Sequence, residues 1–342
     1  MKRIAAILTF AAMVLAWQAE AQEKRMAVVE LSAIYMRQQP DYESALETQE
    51  MMGTVVEIVG EKGYWREIVS PQPYRAWATE KGLVEMTAEE LASYEAAPKV
   101  MFTDLYGHVY AYPTFDSHTL SDLVGGDILR LKEPARSLKK GKLKGRWTEI
   151  ILPSGREGFV PSALLKPHNG FISIAQGEGS AESIDDETTE AIIAEAWKLH
   201  GSPYLWGGMS SKGVDCSGLV RICFLMNGIL LPRNASQQIK CGERLPMEID
   251  RSYWEEAARK TDPEGLKKEM QRRIENLEKG DLVFFGTPAS VPGGKDRVTH
   301  VGIYLGNGNI IHSSQTVRHN SLITDSGQYY ENSWRLLGAI RL

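Results

Sequence analysis

Val214-Asp215-Cys216-Ser217-Gly218-Leu219-Val220-Arg221-Ile222-Cys223-Phe224-Leu225-Met226 is the stretch on which the reading of this chain turns. From Leu219 onward its apolar residues recur at helical spacing, so Cys216 opens a helix. A thiol there meets the positive end of the helix dipole and backbone N–H groups that have no intrahelical acceptor. Both favour thiolate over thiol and predict a lowered pKa. Cys216 is therefore read as a nucleophile. Cys223 falls among the apolar positions of the same helix, and it and Cys241 read as inert buried residues or as a disulfide pair.

A thiolate nucleophile needs a base and a group to hold that base. Working outward, Thr299-His300-Val301-Gly302-Ile303-Tyr304 and Ile310-Ile311-His312-Ser313 form a hairpin around Leu305-Gly306-Asn307-Gly308-Asn309. A plain two-residue turn at Asn307-Gly308 puts His300 and His312 on opposite faces. A relay needs them on one face, which predicts a three- or five-residue turn or a bulge. His108, His118, His168, His200 and His319 lack such a context and default to surface or loop roles. Zinc is the competing use of Cys216, His300 and His312, but no C-x-x-C or H-x-x-x-H spacing accompanies them. No metal and no cofactor are expected.

Around this centre the chain divides. Residues 188–200 carry an apolar helical stripe that stops at Gly201-Ser202-Pro203. Strand patterns follow at 282–285, 301–305, 310–313 and 336–342, so helices precede strands in an α+β domain over 187–342. The charged stretch 253–279 reads as one or two helices of a solvated insertion. Upstream, 171–186 reads as a linker. Before it lies a duplication: Gly63-Tyr64-Trp65-Arg66-Glu67-Ile68-Val69 answers to Gly145-Arg146-Trp147-Thr148-Glu149-Ile150-Ile151 at a spacing of 82, which also relates Trp77 to Phe159 and Leu83 to Leu165. Short alternating runs predict two small β-modules, 22–97 and 98–170, with a helix near 87–97 between them.

The 342 residues are 43% apolar, enough for a core in each unit. The net charge of −5, with both signs mixed, gives no positive field to draw nucleic acid, so no nucleic-acid partner is expected. Lys2-Arg3, an apolar run over 4–17 and Ala19-Glu20-Ala21 read as an export signal over 1–21. The run is too short for the roughly 20 residues of a membrane span. No span is expected after cleavage.

The quoted residues, with Gly201-Ser202-Pro203-Tyr204-Leu205-Trp206-Gly207-Gly208, Leu231-Pro232-Arg233 and Gly280-Asp281-Leu282-Val283-Phe284-Phe285-Gly286, resemble the NlpC-type cell-wall cysteine peptidases. The resemblance covers almost half the chain and implies an α+β papain-like peptidase domain. The duplicated modules resemble, more weakly, the two small all-β SH3-like barrels that accompany such domains. It implies Cys216 as nucleophile, His300 as general base and His312 as the residue that orients it, with Tyr204 beside the oxyanion. In relatives with SH3-like modules the substrate is a peptidoglycan stem peptide. These enzymes cut the amide between γ-D-glutamate and a diamino acid, often recognising a free N-terminal L-Ala. Asp215 and Ser217 would then contact substrate, Arg233 would pair with the α-carboxylate of D-glutamate, Trp206 would wall the pocket, and Tyr74 would close it from the first module. Glu43 and Glu47 lie near the region where that module usually contributes a glutamate. Asn234-Ala235 stands where the subgroup often has Asp-Ser, removing a carboxylate and a hydroxyl from the amine site. A Gram-negative periplasm with meso-diaminopimelate is the expected setting. The alternatives are a catalytically silent wall-binding protein and a hydrolase of another amide using the same triad.

Overall fold

The computed structural model describes residues 24–134, 138–139, 142–174, 176, 184–289 and 295–342. The expected export signal, 1–21, lies outside the described residues. The duplication appears in the topology. Strands β1 (Arg25–Val29), β2 (Ala33–Arg37), β3 (Leu46–Met51), β4 (Val55–Lys62), β5 (Trp65–Ser70), β6 (Tyr74–Thr79) and β7 (Leu83–Met86) form one sheet in the order β3-β2-β6-β5-β4-β1-β7. Helix α1 (Ala88–Ala96) follows, its start fixed by a reciprocal Thr87–Glu90 capping box.

The second sheet repeats the plan. Strands β8 (Lys99–Phe102), β9 (Tyr106–Tyr110), β10 (Thr119–Val124), β11 (Ile128–Leu131), β12 (Trp147–Ile151), β13 (Glu157–Pro161) and β14 (Leu165–His168) lie in the order β10-β9-β13-β12-β11-β8-β14. Element for element this is the first sheet, down to the short 3-10 turn before the last strand, Glu80–Gly82 in one and Ser162–Leu164 in the other. Each sheet encloses its own apolar cluster: Ala27, Ile34, Met36, Val56 and Ile68 in the first, Val100, Phe102, Val109, Leu129 and Ile150 in the second.

The third unit begins earlier than the expected linker allows. Ile172–Ser173 pairs in parallel with Ile229–Leu230, and Ile174 is buried, so the start of 171–186 is part of the C-terminal core. Helix α2 (Asp186–Lys198), capped by Asp185, packs on α3 (Cys216–Leu225), whose residues are all buried. The short helices α4 (Ala235–Gln238), α5 (Glu256–Thr261) and α6 (Pro263–Ile274) follow. A sheet of β15 (Glu243–Arg244), β16 (Leu282–Thr287), β17 (Arg297–Gly306), β18 (Asn309–Ser314), β19 (Thr316–Ser321) and β20 (Leu336–Arg341) completes the domain, antiparallel throughout in the order β15-β20-β16-β17-β18-β19. The stretch 253–279 is not simply solvated: Tyr253, Leu266 and Met270 pack with Val283, Phe285, Tyr304 and Leu336 in a second core cluster. Most of its charges lie on the outer face, but Glu269 and Arg273 are buried and paired with each other (2.7 Å), and Arg273 also donates to the Trp334 and Leu336 carbonyls (both 3.0 Å).

The three units are joined by polar contacts, part-exposed around Lys212 and buried along β3. Lys212 Nζ bonds to Ser32 of the first module (2.9 Å) and Asp122 of the second (2.7 Å), and Ser32 Oγ also donates to Asp122 (2.9 Å). Strand β3 lies directly along the C-terminal domain: Gln49 Oε1 accepts from the Met209 amide (2.7 Å) and Ser210 Oγ (3.1 Å), and Glu50 lies 3.6 Å from Arg221 of α3. A cavity of about 510 Å³ opens beside this last pair, lined mainly by apolar groups such as Met51, Tyr94, Ile128 and Leu225, and neither Cys216, His300 nor His312 lines it.

Candidate active site

Cys216 is the first residue of α3, 8% exposed. Asp215 caps the helix by accepting from the Gly218 amide (2.7 Å). The approach is tight: a Cβ at Gly218 would overlap the Gly208 carbonyl oxygen, so this turn of α3 admits no side chain there. Two amides, of Ser217 and of Val301, donate toward the sulfur and lower its pKa. They do not prevail. Burial, and then the charge of Asp215, push the Cys216 thiol up to about 11, against the lowered value that the helix position predicts. The unliganded site therefore holds a neutral thiol.

His300 stands on β17 and His312 on β18. The register explains how they meet. Ile303 lies opposite Ile311 and Tyr304 opposite Ile310, whereas Gly306 lies opposite Asn309, so Leu305 is an extra residue in its strand. Asn307 (φ 52°) and Gly308 (φ 77°) form the two-residue turn, and the bulge restores the common face that the relay requires. His300 Nε2 lies 2.7 Å from His312 Nδ1. His312 is completely buried, and on its other side Nε2 lies 3.0 Å from Asn320 Oδ1 on β19. Burial and the neighbouring His312 hold His300 well below the ordinary histidine range, and burial lowers His312 to about 4. Both rings are neutral at neutral pH, as a general base must be before it acts. Tyr330 packs edge-on to His312, with ring centres 4.6 Å apart. Ser313 Oγ donates to the Val214 carbonyl (2.8 Å), tying β18 to the residues just before Cys216.

Asn320 was not singled out from the sequence. A signal existed: β18 and β19 pair so that Asn320 opposes Ile310, two residues from His312 and on its face.

Arg233 departs from its expected role. It is 1% exposed, and all five N–H donors face protein acceptors: Nε on Thr48 Oγ1 of β3 (2.7 Å), Nη1 on Asp215 Oδ1 and Ser217 Oγ (both 3.0 Å), and Nη2 on Asp215 Oδ2 (2.6 Å) and the Gly208 carbonyl (3.5 Å). A substrate carboxylate would have to displace one of these, so Arg233 is a fastener of the site wall and not its carboxylate receptor. Asp215 is equally occupied, accepting also from the Gly207 amide (2.9 Å) and facing Ser217 Oγ (3.3 Å).

Tyr74 of the first module lies against Glu47 and Asn234. Its hydroxyl donates to Glu47 Oε2 (2.6 Å), and burial with that carboxylate pushes the phenol up to about 12. Asn234 also bonds to this hydroxyl. Glu47 is the second residue of β3, the next residue, Thr48, holds Arg233, and the Glu47 backbone lies against Gly207. Glu43 is exposed in a turn with Asp41. Of the two glutamates, the structure brings Glu47 to the site. Tyr204 is half-buried, and its phenol is raised by burial and by Cys216 and Asp215 nearby. Trp206 is 66% exposed at the rim. Cys223 and Cys241 are free thiols, both buried, which removes the disulfide expectation. His168 packs at a tilt on Phe171, and His200 and His319 flank Trp197. Among the described residues no group of three His, Cys, Asp or Glu side chains is arranged to hold a metal ion, and no helix is long and apolar enough to cross a membrane.

A cysteine at the start of a buried helix, bonded by the Val301 amide of the antiparallel strand that carries His300 of the histidine pair, belongs to a papain-like fold. Residues 201–337 match the model of the NlpC/P60 family, so the chain carries an NlpC/P60 domain. It is 27% identical, over 81% of its length and 70% of the relative's, to a Bacillus cereus protein named gamma-D-glutamyl-L-lysine dipeptidyl-peptidase. A Bacillus subtilis protein of the same name is 29% identical over 49% of each chain. Dipeptidyl-peptidase 6 of Lysinibacillus sphaericus is 25% identical over 81% of this chain and 83% of its own. The crystal structure of an NlpC/P60 family protein from Bacillus cereus superposes with a TM-score of 0.66 at 22% identity, covering 92% of this chain and 99% of that one. Its fold is therefore shared across the N-terminal sheets as well.

Proposed function

We propose that this protein is an exported cysteine peptidase that hydrolyses the amide between γ-D-glutamate and a diamino acid in peptidoglycan stem peptides. The observation that supports the reading is that the Val301 amide, next to His300 of the His300–His312 pair, bonds the Cys216 sulfur, while Arg233 ties Asp215, the residue before Cys216, to Thr48 of the first module, which also brings Glu47 and Tyr74. His300 Nε2 is engaged by His312, so Nδ1 is the ring nitrogen left to serve the thiol. It takes the Sγ proton as sulfur attacks the amide carbon. The proton then passes to the departing amine as the C–N bond breaks, leaving a thioester that water hydrolyses. The Cys216 amide, without an intrahelical acceptor, and the Tyr204 hydroxyl are suited to the oxyanion.

Glu47 and Asp215 against the single guanidinium of Arg233 leave one net negative charge at the end of the site nearest the first module. A free α-ammonium of L-Ala fits that charge, and a muramyl-blocked terminus does not. Glu47 thus supplies the carboxylate that Asn234-Ala235 lacks. The names of the relatives that span most of this chain support the same bond class. The modules, which we infer to be SH3-like, narrow the cleft as well as extend the chain. The expected export places this chemistry outside the cytoplasm, in a periplasm with meso-diaminopimelate.

The test is digestion of L-Ala-γ-D-Glu-meso-diaminopimelate and its N-muramyl counterpart, read by mass spectrometry with Cys216→Ala as control. Release of the dipeptide from the free form alone supports the reading. Equal cleavage of both refutes the closed amine site, and no cleavage of either favours a wall-binding protein.

A further inference from the structure

We infer that Asn320 is a positioning residue of the catalytic relay, fixing the tautomer of His312 and through it the tautomer of His300. The inference rests on the peptidase reading only for its kinetic consequence. Asn320 Nδ2 donates to the Gln328 carbonyl (2.9 Å). A carbonyl accepts and never donates, so this bond orients the amide and leaves Oδ1 toward His312. Oδ1 can only accept, so His312 Nε2, 3.0 Å away, carries a proton. A neutral imidazole has one N–H, so His312 Nδ1 is the acceptor. The partner 2.7 Å from it, His300 Nε2, must then be the protonated nitrogen of that ring. The lone pair of His300 is thereby left on Nδ1, the nitrogen that the thiol of Cys216 needs. Each step follows from the one before. The chain ends on a main-chain carbonyl that cannot change its role.

The same groups support neutral rings. Arg318, on β19 opposite His312, lowers the pKa of both histidines and Arg335 lowers that of His300. Glu331, 3.7 Å from Arg318, and the bond to Asn320 raise that of His312. Tyr330 covers both rings, bringing no charge of its own at neutral pH because its phenol is pushed up to about 12. With charges of both signs at this face, a neutral amide sets the tautomer without making either ring an imidazolium.

The experiment is long-range ¹H–¹⁵N spectroscopy of the histidine rings in the full chain, paired with kcat and KM across pH. The wild type should show His312 and His300 both protonated at Nε2. Asn320→Ala should give mixed tautomers at His312 and lower kcat about 10- to 100-fold with KM within about twofold. Asn320→Asp keeps the acceptor. It should hold the Nε2–H tautomer, recover most of kcat and move the acid limb of the kcat profile to higher pH, because a carboxylate favours the imidazolium. A His312 ring that stays Nε2-protonated in Asn320→Ala, with kcat unchanged, overturns the inference. So does equal loss in both variants. If the wild type cleaves no stem peptide, a tautomer change in Asn320→Ala still supports this assignment while the peptidase reading fails.

Discussion

Replacing Arg233 by Met tests whether the wall of the site is held by a single saturated guanidinium. The substitution keeps most of the side-chain volume but removes five N–H donors, four of which serve Asp215, Ser217 and Thr48 within 3.0 Å. Asp215 is then left 8% exposed with its charge answered only by the Gly207 and Gly218 amides and the Ser217 hydroxyl. Breaking one side of a buried ion pair costs about 3–5 kcal/mol, because the remaining charge is neither solvated nor paired. At about 2–4 °C per kcal/mol for a domain of this size, the transition should fall by about 6–20 °C. The assay is scanning calorimetry, with urea unfolding to check that the change lies in the midpoint rather than the slope. Asp215→Asn in the Arg233→Met background removes the stranded charge, so the double variant should lose about 1–3 kcal/mol less than the sum of the singles. A transition within about 2 °C of the wild type, or strict additivity, would refute the claim that Arg233 and Asp215 act as one buried unit.

Alkylation of Cys216 by iodoacetamide should show no plateau below pH 9. A thiol near 11 is about one part in ten thousand ionised at pH 7, so the rate should rise steadily with pH, and a plateau near neutrality would contradict the neutral-thiol site. Deleting Leu305 removes the bulge and returns His300 and His312 to opposite faces. Peptidase activity should fall by at least about 100-fold while the sheet, read by circular dichroism, persists; retained activity would refute the register argument. Cys223→Ser and Cys241→Ser should each leave electrophoretic mobility the same with and without reductant, as two free thiols require.

Much of this molecule is legible in one dimension. The repeat of 82 residues fixes the two sheets because each Trp, Gly and aliphatic position in it answers a local demand of strand or turn, and the two strand orders coincide. Cys216 is legible because the start of a helix is a local event, and the bulge at Leu305 is legible because strand parity is arithmetic. The misreadings share a cause. The thiol's pKa depends on burial, which arises from packing by β17 and the neighbouring loops rather than from the helix that carries it. Arg233 reads as a substrate receptor until Thr48, from a strand 185 residues away, and Asp215 are seen to occupy it. The stretch 253–279 reads as solvated because its charges outnumber its apolar residues, yet Leu266 and Met270 are enough to seat it.

What the sequence determined by itself is the order of elements, the cysteine that opens the buried helix and the parity of the histidine pair, all set by periodicities of a few residues. The tertiary structure alone decided which glutamate bonds Tyr74, whether Arg233 is free, and that Asn320 lies against His312. These depend on side chains brought together across strands and between domains, where desolvation and the competition for each donor and acceptor assign the roles.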